Sequence, residues 1–322
     1  MGNHNGVWLT WETQRRNKGI SSALGWELHE ITYANPRIKR YMKSMLKTYF
    51  ILHKSKPDYV VAQNPSFLLA LMVVLLKYVF GYTAIIDAHN AGLFPLEGKN
   101  RVLGTISKIT QALADVTIVT NNYLSEVVSH NGGRGFVLQD RLPEVPKTIT
   151  RIKLEGKFNF VFICSFGADE PYQQVLEAAS LIPKDIFIYI TGNYSNKIDR
   201  EKVPGNVVLL GFIPENEYWN TIYSADAIIV LTTRENCLVC GAYEAVALNK
   251  PMILSDTFAL KEYFASGCVF SKPDATCLHE AILLTIDDQE RLKAEIVSLG
   301  EELRDKWEKT FDHLLSYMTS LR

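Results

Sequence analysis

The stretch AIIVLTTRENCLVCGAYEAVALNKP, residues 227–251, changes character twice along its length. Ala227 to Leu231 is a short apolar run rich in β-branched residues, which reads as a buried strand. Thr232 to Asn236 is a polar turn, and from Gly241 the spacing becomes helical. Strand, turn and helix in that order form the unit from which parallel α/β sheets are built. Ligands of such sheets collect at the carboxyl ends of the strands, so the turn is where this segment would hold one. A helix start offers unpaired N–H groups and a positive dipole end that suit a diphosphate. Gly241 would admit a ligand to the backbone, and Glu244, one turn in, can accept hydrogen bonds from a vicinal diol such as a ribose. The plainer alternative for Glu244 is a first-turn carboxylate that complements the helix dipole.

Working outward, the same alternation recurs along the whole chain. Strands are predicted near 6–11, 58–63, 83–88, 115–120 and 135–139, with helices near 17–25, 36–54, 66–80, 101–113 and 121–130. The pattern pauses at Pro143-Glu144-Val145-Pro146-Lys147, a stretch suited to a linker. A second series places strands at 158–163, 186–191, 207–210, 227–231 and 252–255, with helices near 171–181, 215–223, 241–248 and 259–264. The fold class is therefore α/β with two Rossmann-like doubly wound domains, 1–147 and 148–300. Leu292, Ile296, Leu299, Leu303, Trp307, Phe311, Leu314 and Met318 recur at helical spacing. They predict a C-terminal helix whose last part, 301–322, packs back towards the first domain.

Composition narrows the class. A chain of 322 residues with 47% hydrophobic content can bury two cores and is neither disordered nor fibrous. Five cysteines, an odd number, and an apolar strand beginning near Gly6 in place of a leader lead us to expect a reducing, cytoplasmic compartment. The net charge of −1 conceals an asymmetry: residues 1–150 carry 17 Lys/Arg against 10 Asp/Glu, the remainder 17 against 25. The apolar run Phe67 to Leu76 is interrupted by Lys77 and reads as a buried helix. Cys237 and Cys240 have zinc-like local spacing, but Cys164, Cys268, Cys277 and His279 are scattered without a second pair, so no metal is expected there.

The segment Glu244-Ala245-Val246-Ala247-Leu248-Asn249-Lys250-Pro251 resembles the second half of the nucleotide-sugar signature of family 4 glycosyltransferases, retaining enzymes of the GT-B fold. In that signature a first glutamate stands eight residues ahead of the second; here the position holds Asn236, with Glu235 beside it. The resemblance implies that Glu244 holds a ribose, that Asn236 or Glu235 contacts the donor sugar, and that backbone amides of Cys237, Leu238 and Val239 face the sugar and phosphates. It also implies a donor domain in the C-terminal half, an acceptor domain in the N-terminal half, a cleft between them, and no metal or other cofactor beyond a UDP- or GDP-linked sugar as co-substrate.

Other strand-end loops extend this picture. After the strand 158–163, the family's arginine and lysine that neutralise the donor diphosphate correspond to Ser165 and Glu170, so the expected charges are missing and Arg234 is the candidate substitute. Gly192 and the run Gly211-Phe212-Ile213-Pro214 follow strands, and the resemblance puts the nucleobase near Gly192, Phe212 and Ile213. His89-Asn90 follows the strand 83–88; family members often carry such a pair beside the reacting sugar, and a histidine there suits orienting a sugar hydroxyl. Arg15 and Arg16, in a donor-rich loop after the first strand, are candidates for an acceptor phosphate; the bland alternative is a solvated helix start.

From Ile31 to Pro57 there is no acidic residue and there are seven Lys/Arg. On a helix, Ile38, Met42, Met45, Tyr49 and Leu52 form one stripe and Arg40, Lys43, Lys47 and Lys54 another. The stretch 37–56 is expected to touch anionic lipid at the inner face of the plasma membrane through its basic stripe, with the apolar stripe buried. No base-reading motif accompanies the charge, so nucleic acid is not expected as a partner. The leading expectation is transfer of a sugar to a glycan or polyprenyl-diphosphate-linked acceptor in polysaccharide or glycoconjugate synthesis. The alternatives are a non-catalytic GT-B-fold binding or partner subunit and a nucleotide-sugar epimerase.

Overall fold

A computed structural model of the chain describes residues 5–34 and 36–321. Residues 1–4, 35 and 322, which the domain ranges above include, lie outside the described residues. The chain divides into two units, residues 1–141 with 306–322 and residues 142–305.

Unit 1 runs β1 (Gly6–Thr10), α1 (Arg15–Leu24), β2 (Glu27–Glu30), α2 (Arg37–Ser55), β3 (Tyr59–Asn64), α3 (Phe67–Phe80), β4 (Thr83–Ala88), α4 (Asn90–Leu93), α5 (Arg101–Leu113), β5 (Val116–Val119), α6 (Asn122–His130) and β6 (Gly135–Val137). Its strands are all parallel, in the order β2-β1-β3-β4-β5-β6. Strands β1, β3, β4 and β5 are buried throughout, because helices cover both faces of a parallel sheet. The edge strand β2, Glu-Leu-His-Glu, has no such run and was not expected from the sequence.

Unit 2 continues with β7 (Phe158–Phe162), α7 (Tyr172–Leu181), β8 (Ile186–Thr191), β9 (Val207–Gly211), α8 (Glu215–Ser224), β10 (Ala227–Val230), α9 (Cys240–Ala247), β11 (Met252–Ser255), α10 (Phe258–Tyr263), β12 (Cys268–Ser271), α11 (Ala275–Asp287) and the long α12 (Gln289–Ser320). Its parallel order, β12-β11-β10-β7-β8-β9, is the doubly wound arrangement in which the winding reverses between β7 and β10. The loops after β7 and β10 therefore flank the crevice where such sheets bind ligands. Sequence reading did not identify β12, a four-residue edge strand, or α11.

The opening segment folds as strand, turn and helix. Helix α9 ends in a Schellman closure, with Asn249 N–H donating to Val246 O and Lys250 N–H to Ala245 O. Asn249 has φ 54, a left-handed conformation that asparagine tolerates better than most residues. Helix α12 contributes Leu292, Ile296, Leu299 and Leu303 to the cores of unit 2. Its last turns, Trp307, Phe311, Leu314 and Met318, lie in the core of unit 1 with Trp8, Ile20 and Tyr59.

One expectation is reversed on α2. The buried line is Ser44, Thr48 and Leu52, and Thr48 Oγ1 accepts from the Trp11 indole at 3.1 Å. Small polar side chains let this helix sit close against the unit, so Ile38, Met42, Met45 and Tyr49 of the supposedly buried stripe stand in solvent, Ile38 at 76% exposure.

Candidate functional site

The β7–α7 loop turns sharply at Phe166, whose φ of 59 is rare for a bulky residue and whose buried ring packs against Tyr172 at 5.1 Å. The amides on either side of that residue point at a common acceptor, the Glu170 carboxylate. Gly167 N–H donates to it at 2.6 Å, Ser165 N–H at 3.0 Å and Ser165 Oγ at 2.8 Å. Ser165, expected to contact the donor, has both of its donors turned to the Glu170 carboxylate five residues along the chain. Cys164 is buried beneath, and burial pushes its thiol well above the usual range, with Glu170 adding to the shift.

The loop after β10 is sewn to the β7 loop through Asp169. Thr232 Oγ1 donates to Asp169 Oδ2 at 2.8 Å, Thr233 N–H to Asp169 O at 2.7 Å, and Arg234 Nη2 lies 3.3 Å from Asp169 Oδ1. Thr232 N–H donates in turn to Ser255 Oγ at the end of β11. This places Arg234, the expected substitute cation, beside the loop that lacks the family's basic pair. A cavity of about 330 Å³ opens alongside, lined by Gly167, Glu170, Tyr172, Lys197 and Thr233 among others. Lys197, on the β8–β9 connection, was not singled out from sequence.

Glu235 and Asn236 part company. The Glu235 carboxylate accepts from Phe258 N–H at 2.7 Å through Oε1 and so holds the start of α10, a bond that Asn236 is not given. Glu244 is buried at 5% exposure on α9, and its Oε2 accepts from the hydroxyl of Tyr218 on α8. Tyr218 too was missed. Its signal was present in the helix that follows Phe212-Ile213-Pro214, but nothing in one dimension joins it to Glu244.

Two glycines owe their identity to packing. A Cβ on Gly241 would meet Ile163 at 3.0 Å and Val230 at 3.1 Å, so the residue lets α9 press onto the sheet. A Cβ on Gly192, whose φ is 93, would fall 2.1 Å from the Cys164 carbonyl, so the residue lets the β7 loop approach here. Gly192→Ala is expected to cost about 3 kcal/mol or more, read as a lower urea midpoint, because both the left-handed backbone and the contact oppose a side chain. An unchanged midpoint would refute this account of the β7–β8 approach. Phe212 is 89% exposed at the end of β9, with Ile213 half-buried after it. Leu238 and Val239 pack against the core around α9, Cys237 is half-buried and Cys240 exposed, and neither is joined in a disulfide. Among the described residues no cluster of three or more His, Cys, Asp or Glu is arranged to hold a metal ion.

In unit 1 the carboxyl ends of β1, β3 and β4 gather Thr10, Gln63, Asn64, Asp87 and His89. Arg16 is the main surprise. Its guanidinium is buried and grips Asp87 through Nε at 2.9 Å and Nη2 at 2.7 Å, while Nη2 also donates to Leu138 O and Nη1 pairs with Asp140. Burial opposes its charge, yet the two carboxylates hold its proton more firmly than usual. Arg16 is therefore a structural ion-pair residue and not an acceptor-phosphate ligand; Arg15, its exposed neighbour, is the one that reaches the surface. His89 caps α4 ahead of half-buried Asn90, with Nε2 3.9 Å from Asp87 Oδ2. Buried side-chain atoms of Gln63, Asn64 and His89 (Nε2, Oδ1 and Nε2) have no hydrogen-bond partner at this edge. Such atoms favour water or a ligand as their complement.

Two parallel doubly wound units in one chain are the architecture of the GT-B fold. The chain matches the family model of glycosyl transferases group 1 over residues 147–309, and it belongs to that family. Sucrose-phosphate synthase from Thermosynechococcus elongatus is similar in fold, with TM-score 0.78, 15% identity and coverage of 98% of this chain and 99% of that one. Alr3699/HepE of Anabaena, solved with UDP and glucose, gives TM-score 0.72 and 11% identity over 98% and 100% of the two chains. A putative UDP-N-acetylglucosamine 2-epimerase from Listeria monocytogenes gives 0.67 and 14% over 98% and 96%. No curated protein matches the chain in sequence.

Proposed function

We propose that the chain is a retaining, metal-independent, hexosyltransferase-like enzyme that moves a sugar from a UDP- or GDP-linked donor to a sugar or polyprenyl-diphosphate-linked acceptor, in polysaccharide or glycoconjugate synthesis. The observation that carries the reading is Glu244: a buried carboxylate, one turn into the helix after the β10 loop, already receiving a hydroxyl hydrogen bond from Tyr218. A site that accepts one hydroxyl in this way has the chemistry to accept those of a ribose. Phe212 offers the base an exposed aromatic face. Asn236 and the amides of Cys237 to Val239 take the donor sugar, with Arg234 towards the diphosphate. In unit 1, His89 orients the acceptor hydroxyl, and Asn90 and Arg15 assist. An oxygen of the departing diphosphate takes the acceptor proton on the same face of the sugar, so retention needs no enzymic nucleophile.

Calorimetric titration with a panel of UDP- and GDP-sugars tests the donor reading; failure of every one to bind would defeat it. Turnover with and without acceptor then distinguishes transfer from epimerisation, and the anomeric configuration of the product tests retention. One observation favours a binding-only reading: Glu170 stands in the loop where the family carries a cation. Donor binding without turnover would decide for it.

The acceptor is proposed to be met at an anionic membrane. The support is α2, where Met42, Leu46 and Phe50 are exposed among Arg40, Lys43 and Lys47, and adjoining α3, where Tyr78 and Val79 are exposed. The two helices touch through Tyr49 and Phe80 at 5.6 Å. Apolar insertion and basic attraction act together at such a surface. No helix of the described residues is long and apolar enough to cross a membrane. Flotation with phosphatidylglycerol vesicles is expected to carry the protein up at low salt, and Met42→Glu with Phe50→Glu to reduce the floated fraction about tenfold. Protein that stays below at low salt would end this part of the proposal.

A further inference from the structure

The two amides flanking Phe166 form a small anion-binding concavity of the kind made when a left-handed residue sits between two others. It lies at the carboxyl end of β7, beside β10, where the winding of the unit 2 sheet reverses. Its occupant is part of the chain. Glu170 presents one carboxylate to Ser165 N–H, Gly167 N–H and Ser165 Oγ, between 2.6 and 3.1 Å away. A carboxylate oxygen and a phosphate oxygen carry like charge and accept from the same donors, so the two compete for the concavity and repel each other when near it.

The geometry also provides somewhere for the carboxylate to go. Glu170 lines the cavity of about 330 Å³ as well as the concavity, and Lys197 lines the same cavity. The Phe166 ring is buried against Tyr172, a contact in which the glutamate takes no part. We propose that Glu170 is a displaceable internal anion: a donor diphosphate binds the Ser165–Gly167 amides only after the Glu170 carboxylate has swung into the cavity towards Lys197. The residue thereby sets the strength of diphosphate binding in this chain. The proposal rests on the nucleotide-sugar reading given above.

The test compares full-length wild type, Glu170→Ala and Glu170→Gln by calorimetry with UDP, GDP, uridine and guanosine. Glu170→Ala is expected to bind the preferred nucleoside diphosphate at least about tenfold more tightly, with the nucleoside unchanged, since only the phosphate meets the removed charge. Glu170→Gln, which keeps the size of the side chain and holds the loop, should fall between them. Lys197→Met should weaken diphosphate binding in the wild type and have no such effect when combined with Glu170→Ala, the coupling expected if the lysine acts through the displaced carboxylate. Unchanged or weaker diphosphate binding in both Glu170 variants, with the nucleoside still bound, would overturn the proposal and leave the nucleotide reading standing. Absence of binding by nucleoside and diphosphate alike, in wild type and variants, would overturn both.

Discussion

Arg16→Ala is expected to lower the thermal midpoint of the protein by about 6–20 °C, from a loss of about 3–5 kcal/mol. The reason is what the substitution leaves behind. Asp87 is fully buried, and its Oδ1 accepts two hydrogen bonds from the guanidinium. With the arginine gone, that carboxylate is a buried charge without its partner, which costs far more than the ion pair itself is worth. Arg16→Lys should recover little, because an ammonium cannot span Asp87, Asp140 and the Leu138 carbonyl as a planar fork does. Arg15→Ala, one residue away and exposed, should stay within about 0.5 kcal/mol of the parent. Circular dichroism melts of the three variants measure this directly. Equal midpoints for Arg16→Ala and Arg15→Ala would show that the buried cluster contributes nothing.

Loss of donor binding in Glu244→Ala is the second large effect. Two hydroxyl hydrogen bonds to a carboxylate contribute about 1.5–3 kcal/mol each, so removal of the acceptor should weaken nucleotide-sugar binding about a hundredfold or more. The stability cost should be about 1–3 kcal/mol, from the Tyr218 hydroxyl left without its acceptor. Tyr218→Phe separates the two roles, because it clears the hydroxyl while keeping the carboxylate. Its donor affinity should equal or exceed that of the wild type. Calorimetry on both variants distinguishes a ribose ligand from a carboxylate that only ties α8 to α9; in the latter case Glu244→Ala would bind donor unchanged.

The fold was largely legible because parallel sheets advertise themselves. Their interior strands are buried on both faces and carry apolar runs, Tyr59–Ala62 in β3, Ala84–Ile86 in β4 and the whole of β10. The strands missed from sequence, β2 and β12, are short edge strands without such a run. The candidate site was legible only as far as one dimension permits. Strand, turn and helix order placed the loops, and the family pattern drew attention to Glu244. The partners that decide each residue's role were invisible: Tyr218 reaches Glu244 from another helix, and Asp140 meets Arg16 across 124 residues of chain. Glycines are ambiguous for a related reason. Gly192 and Gly241 announce a close approach, but sequence does not say whether a ligand or the protein's own atoms make it; here a backbone carbonyl crowds the first and two side chains the second. On α2, hydrophobic spacing pointed to the wrong face because Ser44 and Thr48, small enough to nestle, were the ones turned inward.

The last helix imposes an order on biosynthesis. Trp307, Phe311, Leu314 and Met318 complete a core whose other members, from Trp8 to Leu138, leave the ribosome first. Domains ordinarily mature in the sequence in which they are translated. Here the amino-terminal unit must wait, with part of its hydrophobic interior uncovered, while all of the second unit is made. The nascent chain thus holds an incomplete sheet through most of its synthesis, and the half translated second is the first with all of its residues in hand.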